Sequence, residues 1–341
     1  MLKWARFGPD TEIELIEDMS RLTFDTIGLC SFGYRFNEFY SEEPHPFQKQ
    51  LKESIVESGK RANRPDLINL LYYRDERHRQ ENIVKMRDLC GRIIRERLEN
   101  PQPDAKDLLN IMLHGIDKET GEKLGVENVM YQIPTLLGGG YETTSATLCF
   151  IYYFMCSNPE TLAKAQQEVD QVVGDKVLTY DMLRELKYLD ACMKETLRMQ
   201  HPVSLLTRFC MRDTVLGGKY FIKKGQMVSG IWRHFHRDPK IWGEDADKFR
   251  PERMLDVNFQ KMPPNSWKPV SICISYLIDN RLQSWLCELA QQITNNGVSS
   301  SAMACEPASV EGLRNKRSSS AWQWCYKSLM SRRRTPTTNW S

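Results

Sequence analysis

The stretch "LLGGGYETTSATLC", Leu136–Cys149, decides how this chain is read. It lies in a segment of helical apolar spacing, about Val126 to Cys156, that predicts one long helix. Three consecutive glycines in mid-helix cost about 1 kcal/mol each relative to alanine. They call for the close approach of another group or for a local distortion. Thr143 and Thr144 can return their hydroxyls to carbonyls one turn earlier, which also bends helices. Glu142 sets a carboxyl beside that distortion. The segment therefore offers a groove, a hydroxyl and an acid that can carry a proton. Two plainer readings compete. One is a helix-packing notch with a solvated glutamate. The other is a phosphate loop, which lacks its Gly-Lys-Ser/Thr.

Working outward, residues 11–35, 46–60 and 74–99 carry helical spacing, and Lys106–Leu113 follows the break "NPQPDA". After the long helix, Pro159 is suited to the first turn of a helix over about 160–173. "TYDMLREL" opens a helical pair that ends near Gln200, with Thr179 as an expected N-cap. From His201 the texture changes. "TVLGGKYFIKKGQMVSG" has β-formers split by glycines and lysines, the pattern of short hairpins. The expected fold is mainly α with a small β portion.

The totals bound the function. The chain has 341 residues, 41% hydrophobic and 27% charged, the composition of a globular protein. A net charge of +3 implies no nucleic-acid or membrane-surface partner. No apolar run follows the basic residues at the start, so no signal peptide is expected. The longest apolar run, Ala146–Cys156, has about 11 residues where a membrane span needs roughly 20. A soluble, cytoplasmic protein is expected. None of the ten cysteines stands in a C-x-x-C pair, so a zinc or thioredoxin-like centre is disfavoured. The first six read as small buried residues.

Two further stretches carry charge with a pattern. "KETLRMQHP" places Glu195 and Arg198 three apart, on one helical face. "FRPERM" supplies Arg253 after a proline-containing turn. They make either an exposed ion pair or, with both arginines, a satisfied buried network. His234 and His236 could share the face of a strand as a metal pair, but loop histidines are the favoured reading.

Taken in order, these pieces resemble the cytochrome P-450 family of haem-thiolate monooxygenases. "GGYETTS" is similar to its oxygen-side motif A/G-G-x-E/D-T-T/S, "ETLR" to its E-x-x-R, and "FRPERM" to its P-E-R-F segment, with Met in place of Phe. "EDMSRLTFDTIGLCSFGYRFNEFY", "DTVLGGKYFIKKG" and "HRDPKIWGEDADKFRPER" resemble the fused, self-sufficient fatty-acid hydroxylase branch, over about residues 1–269. The resemblance implies an incomplete cytochrome P-450 fold with haem as cofactor. It also implies a lipophilic small-molecule substrate and an NADPH reductase domain or protein as electron donor. It assigns Thr143 to hydrogen-bonding the bound oxygen and helping to deliver protons, and Glu142 to the proton path. Gly139 and Gly140 would admit oxygen and substrate to the haem face. Glu195, Arg198 and Arg253 would form a structural triad supporting the other side of the haem.

The resemblance stops at Pro269. The family's F-x-x-G-x-R-x-C-x-G follows a Lys-Pro in this branch, but here Lys268-Pro269 is followed by "VSICISYLIDN". Leu277 stands in the slot of the axial cysteine, and nearby Cys273 lacks the flanking glycines. No metal ligand is therefore assigned. The N-terminal β region and the first helices of the domain are expected to be missing, as is the reductase. Residues 270–341 are Ser-rich and aperiodic and read as an aberrant, disordered tail.

Codons offer a reason. Val270-Ser271 can be encoded GTA-AGT, a splice-donor sequence, and Ser300 can be AGT, which supplies a splice acceptor. Read onward from the third base of codon 300, the codons of "SSAMACEPASVEGLRNKR" can give F-G-N-G-L-R-A-C-I-G-R-G-L-A-x-Q-E, the missing motif. Met303-Ala304 forces its second glycine. Barring a stop, Cys305-Glu306 forces its arginine. The removed segment, codons 270–299 plus two bases, is not a multiple of three, so its retention shifts the frame. The expectation is a partial haem domain over 1–269, then retained intron and out-of-frame exon.

Overall fold

A computed structural model describes residues 13–267, except residues 118, 119, 178 and 204. The expected tail 270–341, with Cys273 and Leu277, lies outside the described residues, as does the start of the chain. The described part forms two compact units, 13–149 and 150–267.

In the first unit, α1 (Leu15–Phe32), α2 (Pro46–Ala62), α3 (Tyr73–Glu99) and α4 (Leu108–His114) surround the first part of α5 (Val126–Cys156). Apolar residues at helical spacing make one core, with Phe24 and Ile27 from α1, Leu51 from α2, Ile93 and Ile94 from α3, and Ile133 and Leu137 from α5. Phe24 lies 4.4 Å from Phe36 and meets Tyr141 edge-on at 5.2 Å. Such offset and edge contacts suit the quadrupoles of the rings. Gly28 gives Phe36 its place, because a Cβ there would stand 2.6 Å from the ring. α5 runs unbroken through Pro134, although proline removes one helical hydrogen bond.

One junction ties three helix ends together. α1 stops at Gly33, whose φ of 65° is left-handed, and the N–H groups of Gly33 and Tyr34 return to Leu29 and Gly28. The Arg97 guanidinium sits directly over Gly33, donates to the Phe32 carbonyl, and grips Asp107 with two bonds of 2.9 and 2.7 Å. Asp107 also accepts from the Asn110 N–H at 2.8 Å, capping α4.

In the second unit, Asn158 caps α6 (Pro159–Val172) by position, while its side chain donates back to the Phe154 carbonyl. Thr179 occupies the expected N-cap position of a one-turn helix, Tyr180–Leu183, but its side chain makes no capping bond. The N-terminus of α7 (Lys187–Met199) is capped from a distance by Glu168, which accepts from the N–H groups of Tyr188 and Leu189. Two small antiparallel sheets follow. β1 (Leu205–Phe209) pairs with β4 (Met227–Ile231), and between them β2 (Thr214–Leu216) pairs with β3 (Tyr220–Ile222). His234 stands in a one-turn helix, Trp232–Phe235, exposed, and His236 is buried just after it. They form no strand pair, and His236 lies in the turn after the helix, as the favoured loop reading has it.

Gly33→Ala tests the junction. It places a Cβ 2.6 Å from Arg97 Nη2 and forces L-alanine into a left-handed conformation. A loss of about 2–4 kcal/mol is expected in urea melts. A loss below about 0.5 kcal/mol would show that Arg97 is free to move away.

Candidate functional site

The Gly-Gly-Tyr-Glu-Thr-Thr segment is a stretch of α5 whose side chains and carbonyls are bonded locally. Thr143 donates to the Gly139 carbonyl at 2.7 Å, Ser145 to Glu142 at 3.0 Å, and Thr147 to Thr143 at 2.8 Å. Thr144 departs from expectation. It is buried, and its hydroxyl has no hydrogen-bond partner among the described residues instead of turning back along the helix. The glycines also divide. Gly138 is the packing notch, where a Cβ would meet Ile55 at 3.4 Å and Leu51 at 3.7 Å. Gly139 is exposed and supplies the carbonyl that Thr143 uses, while Gly140 is buried.

Glu142 is half-buried, and its Oε1 accepts from the Tyr141 hydroxyl at 3.1 Å. Burial raises its pKa, against the Tyr141 bond and the charge of Lys52, which lower it. Burial, with the Glu142 charge, raises the Tyr141 phenol well above its ordinary value. The charge of Glu38, itself buried, acts in the same direction. The arrangement keeps a proton near Glu142 further into the neutral range than a free carboxyl would.

In the second unit the structure brings together Glu195, Arg198 and Arg253, the first two wholly buried. Arg198 grips Glu195 with two 2.8 Å bonds, Nε to Oε2 and Nη2 to Oε1. Its remaining donors reach the carbonyls of His236, Ala246 and Lys248 at 2.6, 2.7 and 3.1 Å. Arg253 donates from Nε to Glu195 Oε1 at 3.0 Å and also reaches Asp245 and the Trp242 carbonyl. The Arg250 N–H adds a further bond to Glu195 at 3.0 Å. The two arginines thus face two carboxylates, and the hydrogen bond from Arg253 is the main cause that lowers the Asp245 pKa. Asp245 was missed in the sequence because "GEDADKFRPER" carries no helical or strand period.

His201 and His236 flank this network, with ring centroids 6.1 Å apart. Burial lowers both to about 4, and for His236 the neighbouring His201 and Arg198 add to the effect. Of the six described cysteines, Cys90 and Cys192 are buried, and the other four are half-buried rather than buried as expected. Burial holds the Cys90 thiol up at about 12 and Cys192 well above its ordinary value. Neither offers the thiolate that a haem iron requires. The two buried cysteines among the described residues therefore do not supply the thiolate of a haem-thiolate site, and Leu277, in the slot of the axial cysteine, lies outside the described residues.

A model of the cytochrome P450 family matches residues 3–271. The chain is 44% identical over 269 residues to a self-sufficient cytochrome P450 monooxygenase of Oidiodendron maius, covering 79% of this chain and 25% of that protein. It is 42% identical over 272 residues to a bifunctional cytochrome P450/NADPH–P450 reductase of Fusarium oxysporum, with the same coverage. A second bifunctional cytochrome P450/NADPH–P450 reductase, from Bacillus subtilis, is 42% identical over 267 residues, 78% of this chain and 25% of that protein. The chain spans about a quarter of the length of the curated relatives it matches.

Two outcomes follow from the geometry. Glu195→Gln leaves two buried guanidinium groups short of a counter-charge and should cost about 3–5 kcal/mol. A urea midpoint unchanged from the parent would show that the network is not an electrostatic unit. The histidines bind protons more weakly in the folded chain than in the unfolded one, about 4 against 6.5. Between those values the unfolded chain takes up more protons, so their contribution to stability falls as pH drops from 6.5 to 4 and is level above it. Thermal melts across this window should show the slope, reduced in H236Q. An equal slope in H236Q would rule out the role of His236.

Proposed function

The chain belongs to the cytochrome P450 family. From that premise we propose a lineage of monooxygenases that hydroxylate a fatty-acid-like or other lipophilic substrate with oxygen and NADPH-derived electrons. Within it, this chain does not complete the reaction. Haem is the cofactor the family implies, and when bound it supplies the oxygen-activating chemistry. Glu142 beside Thr143 in α5 is the observation that carries the reading, an acid with a raised pKa next to a hydroxyl in a glycine-weakened helix.

Each residue then has a task that its surroundings support. Glu142 holds a proton, steadied by the Tyr141 hydroxyl. Thr143 directs its own hydrogen to the Gly139 carbonyl and presents its oxygen lone pairs as an acceptor. Rotation away from Gly139 turns it into a donor. Gly139 and Gly140 keep side-chain bulk off that turn of the helix. Glu195, Arg198 and Arg253 are positioning residues that fix the loop over Trp242–Arg253 to α7. Electrons come from a reductase domain or a separate reductase, in line with the names of the relatives.

The incapacity rests on the sequence after Pro269. The slot for the axial cysteine holds Leu277, and the downstream codons are compatible with the motif in another frame. Residues 270–341 are on this reading the product of a retained intron, and the removal of that intron restores the ligand loop. A second reading is a non-catalytic remnant that binds a lipid or a protein partner.

Sequencing of the mature transcript across codons 260–320 is the direct test, with a product shortened by codons 270–299 plus two bases expected. In parallel, both encoded chains can be expressed with haem, reduced and exposed to carbon monoxide. Only the shortened-transcript chain should give the thiolate-type absorption of the carbonyl adduct. That absorption from the present chain would overturn its incapacity.

A further inference from the structure

The first unit holds a buried acid with no part in the tasks assigned to Glu142 and Thr143. Glu38 opens the short 3-10 turn Glu38–Tyr40 and is wholly buried. Asp25 on α1 fixes it there, since its two carboxylate oxygens accept from the N–H groups of Glu38 and Phe39, both at 2.9 Å. Oε1 of Glu38 accepts from the His45 N–H at 2.6 Å. Oε2 is also buried and has no hydrogen-bond partner among the described residues.

The groups around Glu38 favour its neutral form. Arg21 is the cation whose charge reaches it, but the Arg21 bonds go to Glu17 and to the carbonyls of Ser41 and Glu42. Burial raises the Glu38 pKa, and the like charges of Asp25 and Glu17 add to it, against the His45 bond and Arg21. A buried carboxyl with one unbonded oxygen and no bonded cation costs less neutral than charged. Neutral, it carries an O–H that needs an acceptor.

An acceptor stands on α5. The Tyr141 hydroxyl gives its hydrogen to Glu142 Oε1 at 3.1 Å, which leaves its lone pairs for a donor. Tyr141 is buried against α1, where its carbonyl accepts from Thr23 Oγ1 at 3.1 Å, and the Glu38 charge acts on its phenol. Tyr141 therefore stands between two acids, bonded to one and within the field of the other.

We propose, on the reading of Glu142 as a proton-holding acid, that Glu38 is its reserve and passes a proton to it through the Tyr141 hydroxyl. One bridging water joins Oε2 to the Tyr141 oxygen, as buried waters do for polar atoms without a direct partner. In the transfer the Glu38 proton moves to the water, a water proton moves to Tyr141 Oη, and the Tyr141 proton moves to Glu142 Oε1. Glu142 is left neutral. Glu38 is left as a carboxylate, steadied by the His45 N–H and the charge of Arg21. No electron changes hands. Glu38 touches no reactant and acts only by keeping Glu142 supplied.

Carboxyl carbon-13 NMR of the full chain, labelled at glutamate, reads both acids as pH is varied, with E38Q and E142Q identifying the two signals. E38Q keeps an acceptor for the His45 N–H, and Y141F removes only the hydroxyl. Unchanged far-ultraviolet dichroism checks the fold of each. Coupled acids raise each other's midpoint, so Glu142 should titrate at lower pH in E38Q than in the parent. On a Y141F background, E38Q should no longer move it. A Glu142 midpoint indifferent to E38Q in the parent would overturn the relay and leave the role of Glu142 standing. An effect of E38Q that persists in full with Y141F would be a charge effect through space, which also overturns it. A parent Glu142 that titrates in the ordinary carboxylate range would remove the proton-holding reading and the relay together.

Discussion

The second unit depends on a single carboxylate. Glu195 is wholly buried, and a buried charge is tolerated only when it is paired and its lone pairs are satisfied. Four donors meet that condition here: two from Arg198, one from Arg253 and the Arg250 backbone. The pairing then imposes geometry on the chain around it. Arg198 cannot keep its bidentate grip unless the carbonyls of His236, Ala246 and Lys248 take its other hydrogens. A segment of one-turn helices and loops, from Trp232 to Arg253, is thereby tied to α7. Such networks add little net stability over well-packed apolar residues, but they specify one arrangement of the loop.

The first unit is organised differently. Its constraint is the packing of aromatic rings and glycine notches along α5, and its polar residues answer local needs. Thr143, Ser145 and Thr147 bond to the helix that carries them, which weakens the regular ladder where three glycines already reduce its propensity. The result is a helix weakened by its own sequence and sustained by the packing of its buried residues. The Tyr141 bond to Glu142 adds a carboxyl that readily retains a proton. Both features rest on residues within the first unit alone.

Much of this was legible in the sequence. α5 and the hairpins appear where the apolar period and the glycine punctuation place them, because those signals are local and strong. The buried network was legible as a possibility only, since a Glu and an Arg three apart read equally as an exposed pair. Burial decides between the two, and it depends on the chain fifty residues away. Glu168 capping α7 and Asp107 clamped by Arg97 were invisible for the same reason, each joining elements that no short window contains. Thr144 shows the converse. Its local chemistry predicted a bond along the helix, and packing placed the hydroxyl elsewhere. Gly138, read with its two neighbours as one feature, has a task of its own set by Leu51 and Ile55 on α2.

The exposed sheets bear on what kind of object this chain is. Two-stranded sheets are marginal in water unless a hydrophobic face is covered or further strands are added. β1 and β4 nevertheless present Leu205 opposite Ile231 and Phe209 opposite Met227 to solvent. Among the described residues, the geometry of these strands is held by backbone bonds and by the Thr207–Ser229 hydroxyl pair across one face. This part of the unit is therefore the least stabilised by burial. Glu195 and its arginines act on the opposite principle, since their partners are all supplied within the unit. The second unit thus joins an ionic core whose partners all lie within it to sheets that, among the described residues, rest on backbone pairing.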